Sequence, residues 1–170
     1  MSSASMHLNL ADSRTTEALG AALARAFPGA GTGAVVYLQG ELGAGKTTCV
    51  RSLLRTLGVT APVRSPTYTL VDSYTLGTLN CVHIDLYRLQ SDIEAEELGL
   101  RDLTGPGFLM LIEWPEKGGS AVPHADLKLQ LTYAGESRLA ALSAATPVGE
   151  KWLANLAIDS SLAPYLSNLT

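Results

Sequence analysis

The sequence predicts a single α/β domain with helices packed around a mixed sheet, and three features point to it. The apolar run "AVVYLQ" leads through "GELGAGKTT" straight into the amphipathic "CVRSLLRTL", the order strand, glycine-rich loop, helix. "TYTLVDSY" and "TLNCVHIDLY" are strand-like and separated only by "TLG", a connection short enough to close an antiparallel hairpin. "FLMLIEW" is apolar without interruption until Glu113, the composition of a strand buried on both faces.

Taken in order, residues 1–9 read as a flexible tail. "SRTTEALGAALARAF" follows with Leu19, Leu23, Ala26 and Phe27 at helical spacing and Ser13 as the cap. "PGAGTG" breaks that helix, "AVVYLQ" is the first buried strand, and "KTTCVRSLLRTLG" is a second helix closed by Gly58. The hairpin comes next and departs from a strictly alternating strand and helix order. "SDIEAEELGL" is an acidic helix with its carboxylates in the first turn, where the helix dipole favours them. After "FLMLIEW", the runs "ADLKLQLTY" and "RLAALSA" flank the turn "AGES" and form a second hairpin that extends the sheet. Trp152, Leu153 and Leu156 share one face of a helix beyond Pro147. The predicted organisation is thus a tail over 1–9, a domain over 10–146 and a helical extension over 147–170.

Composition narrows the function. A chain of 170 residues that is 46% hydrophobic builds one domain with a sizeable core. The net charge is −4, there are four lysines, and no basic cluster occurs, which argues against autonomous nucleic-acid binding; any RNA contact is expected through a partner. "FLMLI" is too short to span a bilayer and "MSSASMHLNLADSR" lacks the regions of a signal peptide, so a cytoplasmic location without membrane association is expected. Cys49 and Cys81 lack metal-ligand spacing and read as free, buried thiols.

The loop carries the chemistry. Gly40, four residues, then Gly45, Lys46 and Thr47 fit the spacing in which backbone N–H groups at a helix N-terminus enclose phosphate oxygens. Gly40, Gly43 and Gly45 allow conformations and close approaches that a Cβ would obstruct, with Glu41, Leu42, Ala44 and Thr48 completing the loop. Lys46 is placed to reach the β and γ phosphates, and the Thr47 hydroxyl to ligate Mg²⁺. Such a site also needs a carboxylate at a neighbouring strand end, and two candidates compete. Glu113 ends the wholly apolar strand; Asp85 ends "NCVHID", where His83 and Asp85 share one face and Val82 and Ile84 the other. His83 alone is more readily a core or surface histidine than a ligand.

"GELGAGKTT", "SPTYTLV", "HIDLYRL" and "IEWPEK", in that order and at these separations, resemble the TsaE (YjeE) family of bacterial P-loop ATPases of tRNA threonylcarbamoyladenosine formation. The resemblance covers roughly residues 10 to 145. It implies a P-loop NTPase-like fold with a mixed, mostly parallel central sheet flanked by helices and carrying antiparallel hairpins. It also implies ATP and Mg²⁺ as cofactors, slow ATP hydrolysis, and docking onto the TsaB and TsaD proteins, TsaD performing the transfer. By the same resemblance Thr47 and Glu113 are the Mg²⁺ ligands and Asp85 orients the attacking water. Lys46 serves the phosphates, Thr67 is the switch element that closes on the γ phosphate, and Thr16 and Arg138 lie near the adenine. Trp114 resembles a family-typical aromatic near the site, a place a structural tryptophan could equally fill.

Three rival readings are weighed against this one. A GTPase would require Asn-Lys-x-Asp, and no asparagine here is followed by lysine. A small-molecule kinase shares the loop but needs a basic lid, for which Arg88 and Arg101 are too sparse. A nucleotide-dependent binding module without useful hydrolysis is the third, and Asp85 opposes it only if its carboxylate faces the γ phosphate.

Overall fold

The computed structural model of the chain describes residues 4–167. Seven strands form one sheet in the order β1 (Ser5–Leu10), β7 (Ser137–Ala144), β6 (Leu127–Ala134), β2 (Ala34–Gly40), β5 (Phe108–Glu113), β4 (Leu79–Asp85), β3 (Val71–Leu76). The central strands β6, β2, β5 and β4 pair in parallel, and antiparallel pairings with β7 and β3 flank them. Because β1 pairs antiparallel to β7, it runs with the central four, so five strands share one direction. The sheet is mixed and mostly parallel, as the family resemblance implies.

Period-two alternation divides the side chains of the interior strands between two cores. Leu109 and Leu111 of β5 join Val36 and Leu38 of β2 beneath α1 (Ser13–Ala26), α2 (Lys46–Leu57) and α4 (Pro147–Ala157). Met110 and Ile112 join Val35, Val82 and Ile84 on the other face, which the stretch from α3 (Asp92–Glu97) to the 3₁₀ turn Leu100–Leu103 covers. Burial on both faces explains the unbroken apolar run of β5, whose neighbours are β2 and β4. The hairpin connecting β6 and β7 lies where its sequence placed it.

Three local expectations are corrected. From Ser5 onward the expected tail is strand β1, whose Met6, Leu8 and Leu10 are buried while alternating with more exposed residues; residues 1–3 lie outside the described residues. Its register against β7, Ser5↔Ser143 to Leu10↔Arg138, buries those three side chains in the α1-side core. Asp12, one residue before the expected Ser13, caps α1. Its carboxylate accepts from the Thr15 N–H at 2.9 Å while the Thr15 hydroxyl accepts from the Asp12 N–H at 3.1 Å, a reciprocal pair. The first hairpin strand begins at Val71 instead of Thr67, because residues 67–70 turn back, with the Leu70 N–H donating to Pro66 O at 2.8 Å.

Beyond Pro147, α4 buries Trp152, Leu153 and Leu156. The Trp152 indole N–H donates to Leu23 O at 3.0 Å and its ring lies 5.1 Å from that of Phe27, so the helix closes the core against α1. Residues 168–170 lie outside the described residues. Cys49 and Cys81 are free and buried, and burial pushes their thiols up to about 12 and about 11 respectively. No helix among the described residues is long and apolar enough to cross a membrane.

Candidate functional site

The carboxyl ends of β2, β4 and β5 meet in one cleft beside the N-terminus of α2, the edge at which open α/β sheets bind ligands. Gly40 ends β2 at φ 144°. A Cβ there would lie 2.4 Å from the Leu131 carbonyl oxygen of β6, so glycine alone lets the two strands approach. Gly45 precedes α2 at φ 110°, and no side chain caps the helix, leaving its first-turn N–H groups directed at the cleft.

Lys46 is 5% exposed and closes the loop on itself: its ammonium donates to Gly40 O at 2.6 Å and Glu41 O at 2.8 Å. The same nitrogen sits 4.3 Å from the centre of the Trp114 ring. Burial lowers the Lys46 pKa, while Glu113, Asp85 and Glu116 pull it the other way.

Thr47, on the first turn of α2, donates from its hydroxyl to Glu113 Oε1 at 2.9 Å and approaches Oε2 at 3.1 Å. Asp85 lies opposite Glu113 in the β4–β5 register. Both its oxygens are engaged: Oδ2 accepts from the Ser65 hydroxyl at 2.5 Å and Oδ1 from the Tyr87 N–H at 3.0 Å. Thr67 lies on the same wall, its hydroxyl 3.4 Å from both Ser65 O and Ser65 Oγ. Together Lys46, Thr47, Thr48, Thr67, Asp85 and Glu113 line a cleft of about 430 Å³.

A second recess of about 290 Å³ adjoins it through Gly43, Gly45 and Thr48, and Ala44, Thr16 and Arg138 line it. Thr16 is 3% exposed and packs under the loop, where a Cβ on Gly45 would come within 3.2 Å of its methyl group. Arg138 stacks its guanidinium 3.9 Å above the Tyr133 ring, and the Tyr133 hydroxyl donates to Leu42 O at 2.8 Å. The sequence-derived candidates therefore fall into two joined recesses. Leu42 lies at the rim of the larger one, 65% exposed, and Gly40 and Glu41 contribute carbonyls to Lys46.

Two turns bordering the cleft are held in a conformation unfavourable for side chains. Leu70 at φ 63° and Trp114 at φ 58° are the non-glycine residues with positive φ among the described residues. Leu70 O accepts from the Asp85 N–H at 3.0 Å, and the Trp114 ring lies 4.3 Å from the Lys46 ammonium and 5.0 Å from the Tyr87 ring, to which it is tilted by 46°. Both strained residues thus adjoin the acids and the cation.

Sequence reasoning missed Ser65, Tyr87 and Tyr133, and it left His83 without a role. His83 is wholly buried with Nε2 2.6 Å from Glu113 Oε2. Its shared face with Asp85 was a usable signal, and Ser65 stands two residues before Thr67; no signal marked the two tyrosines. The donor set suits a hard cation. A hydroxyl and a carboxylate leave most coordination positions to water and phosphate, the manner of Mg²⁺, and no group of three acidic, histidine or cysteine side chains able to cage a metal occurs among the described residues.

Comparison with known proteins agrees with this architecture. The family model for the threonylcarbamoyl adenosine biosynthesis protein TsaE matches residues 10–140. The chain is 43% identical over 116 residues to the tRNA threonylcarbamoyladenosine biosynthesis protein TsaE of Haemophilus influenzae, covering 68% of this chain and 73% of that protein. It is 40% identical over 121 residues to the protein of the same name from Synechocystis, covering 69% and 74%. Among solved structures, Bacillus subtilis YdiB superposes with a TM-score of 0.72 at 26% identity, over 92% of this chain and 97% of that one. A match spanning the loop, the first hairpin and both acidic strand ends leaves one conclusion: the chain belongs to the TsaE family of threonylcarbamoyl adenosine biosynthesis proteins.

Proposed function

We propose that this chain is a Mg²⁺-dependent ATPase that supports N6-threonylcarbamoyladenosine formation on tRNA by acting on the TsaB and TsaD proteins. One observation carries the reading: Lys46, Thr47, Thr67, Asp85 and Glu113, drawn from four separate segments, converge on one cleft at an uncapped helix N-terminus. The α2 N–H groups bind phosphate oxygens, and Lys46 exchanges the carbonyls of Gly40 and Glu41 for the β and γ phosphates. Thr47 and Glu113 would hold Mg²⁺, which would supply charge neutralisation at the transferring phosphoryl group.

Asp85 orients the attacking water. The Ser65 hydroxyl and the Tyr87 N–H fix its carboxylate plane, and free lone pairs remain on both oxygens to accept from that water. Thr67 shares the Ser65 loop, so closure of that loop on the γ phosphate would reach Asp85 through Ser65. The adjoining recess takes the adenine end between Thr16 and Arg138. Arg88 lines the cleft with its guanidinium 5.4 Å from the ring of the exposed Tyr68 and, among the described residues, forms no ion pair with Asp85 or Glu113, consistent with slow turnover by the isolated chain.

Phosphate release is the deciding measurement, made with Mg²⁺, with EDTA, with candidate acceptors, and with TsaB and TsaD added. Slow Mg²⁺-dependent release that the two proteins accelerate is the expected result. ADP formation that depends on a small-molecule acceptor, without matching release of phosphate, would indicate a kinase, and ATP binding without either product a binding module.

A further inference from the structure

His83 sits where an apolar residue would pack at less cost. On β4 it points into the α1 and α2 side of the sheet, with Cys81 before it, Leu111 opposite in register and the apolar core around them. It is 0% exposed, and its Nδ1 is buried with no hydrogen-bond partner among the described residues. A ring whose second nitrogen is desolvated without compensation is kept for what the first nitrogen does. That nitrogen, Nε2, lies 2.6 Å from Oε2 of Glu113, itself 2% exposed.

We propose that His83 is a positioning residue that fixes the rotation of the Glu113 carboxylate. The inference rests on the Mg²⁺-nucleotide reading of the cleft. A carboxylate only accepts, so Nε2 carries the proton; Nδ1, with no acceptor, is the bare nitrogen. Held at Oε2, the carboxylate keeps Oε1 toward Thr47, at 2.9 Å, and toward the phosphate loop. Without that tie the group is free to turn about its last bond, restrained only by the single Thr47 hydroxyl, which lies 2.9 Å from Oε1 and 3.1 Å from Oε2. Glu113 then meets the metal in a range of orientations instead of one. The arrangement is that of an outer residue that orients a metal-binding carboxylate through one hydrogen bond.

Calorimetric titration of ATP into the full chain, once with Mg²⁺ and once with EDTA, tests this. His83→Ala should weaken Mg²⁺-ATP binding by about tenfold and leave metal-free ATP binding within about twofold, and His83→Gln, whose amide can donate to Glu113, should restore much of the loss. Equal losses with and without the metal would overturn the proposal, as would full retention in both. A wild type whose ATP affinity is indifferent to Mg²⁺ would instead overturn the reading of the cleft on which the proposal stands. Long-range ¹H–¹⁵N spectra of the wild type supply a readout independent of any variant's folding. They should show Nε2 protonated and Nδ1 bare, and a proton on Nδ1 with Nε2 bare would overturn the inference.

Discussion

The two joined recesses are built differently. In the larger recess Lys46, Asp85 and Glu113 are buried and Thr47 is half-buried, and each is tied to another group: Lys46 to two carbonyls, Thr47 to Glu113, Glu113 to His83, Asp85 to Ser65 and to the Tyr87 N–H. On the other side, Thr16 is buried under the loop and Arg138 lies on a partly exposed tyrosine. Its guanidinium reaches carbonyls of Glu136, Ser137 and Gly43 at 3.1 to 3.5 Å. On the function proposed above, the larger recess meets phosphate charge, which requires groups held at fixed distances, whereas the second takes a heterocycle, for which looser contact is enough.

That contrast sets the order of expected effects. The largest belongs to Lys46→Ala and Asp85→Asn. Each should lower phosphate release by roughly 10² or more, because a cation and a water-orienting base act most strongly as the transition state forms. ATP affinity should fall less than turnover for the lysine variant and remain near wild type for Asp85→Asn; a larger loss of binding than of turnover in either would break the assignment.

Glu113→Ala should weaken ATP binding by about tenfold or more in Mg²⁺ and little in EDTA, a difference calorimetry resolves. If Asp85→Asn gave that pattern instead, the two carboxylates would exchange roles. Next comes Thr67→Ala, expected to reduce several-fold the stimulation of phosphate release by TsaB and TsaD while leaving the melting temperature close to wild type. A rate that TsaB and TsaD raise equally in wild type and variant would remove Thr67 from the switch.

The smallest effects belong to the second recess. Arg138→Ala should change ATP affinity by no more than about threefold, and competition should favour ATP over GTP by less than tenfold, about 1.4 kcal/mol. A strong preference for either base would show that this recess is as exacting as its neighbour.

Much of the fold was legible because its signals are local. Alternation marked β6 and β7, an unbroken apolar run marked β5, and the spacing from Gly40 to Thr47 placed the loop between β2 and α2. The four motifs together also marked the family. Where the reading failed, the deciding interaction was distant. "SMHLNL" alternates, yet six residues at a chain end acquire strand structure only by pairing with β7, more than 120 residues away. The 67–70 turn is likewise closed from outside, since Leu70 O takes the Asp85 N–H.

The sequence alone determined which chemical groups this protein has and the order in which they arrive: a glycine-rich loop with a lysine and a threonine, a hydroxyl-bearing loop and two acidic strand ends. Those properties follow from residue type and spacing within a few positions, where covalent geometry limits the choices. Only the tertiary structure decided what each acid touches. The parallel register that sets Asp85 beside Glu113 also brings His83 to one of them and leaves Ser65 to the other. A shift of one residue in that register would turn His83 and Asp85 into the opposite core, because side chains alternate across a sheet; what fixes the register is burial of both faces of β4 and β5, a property of the whole fold.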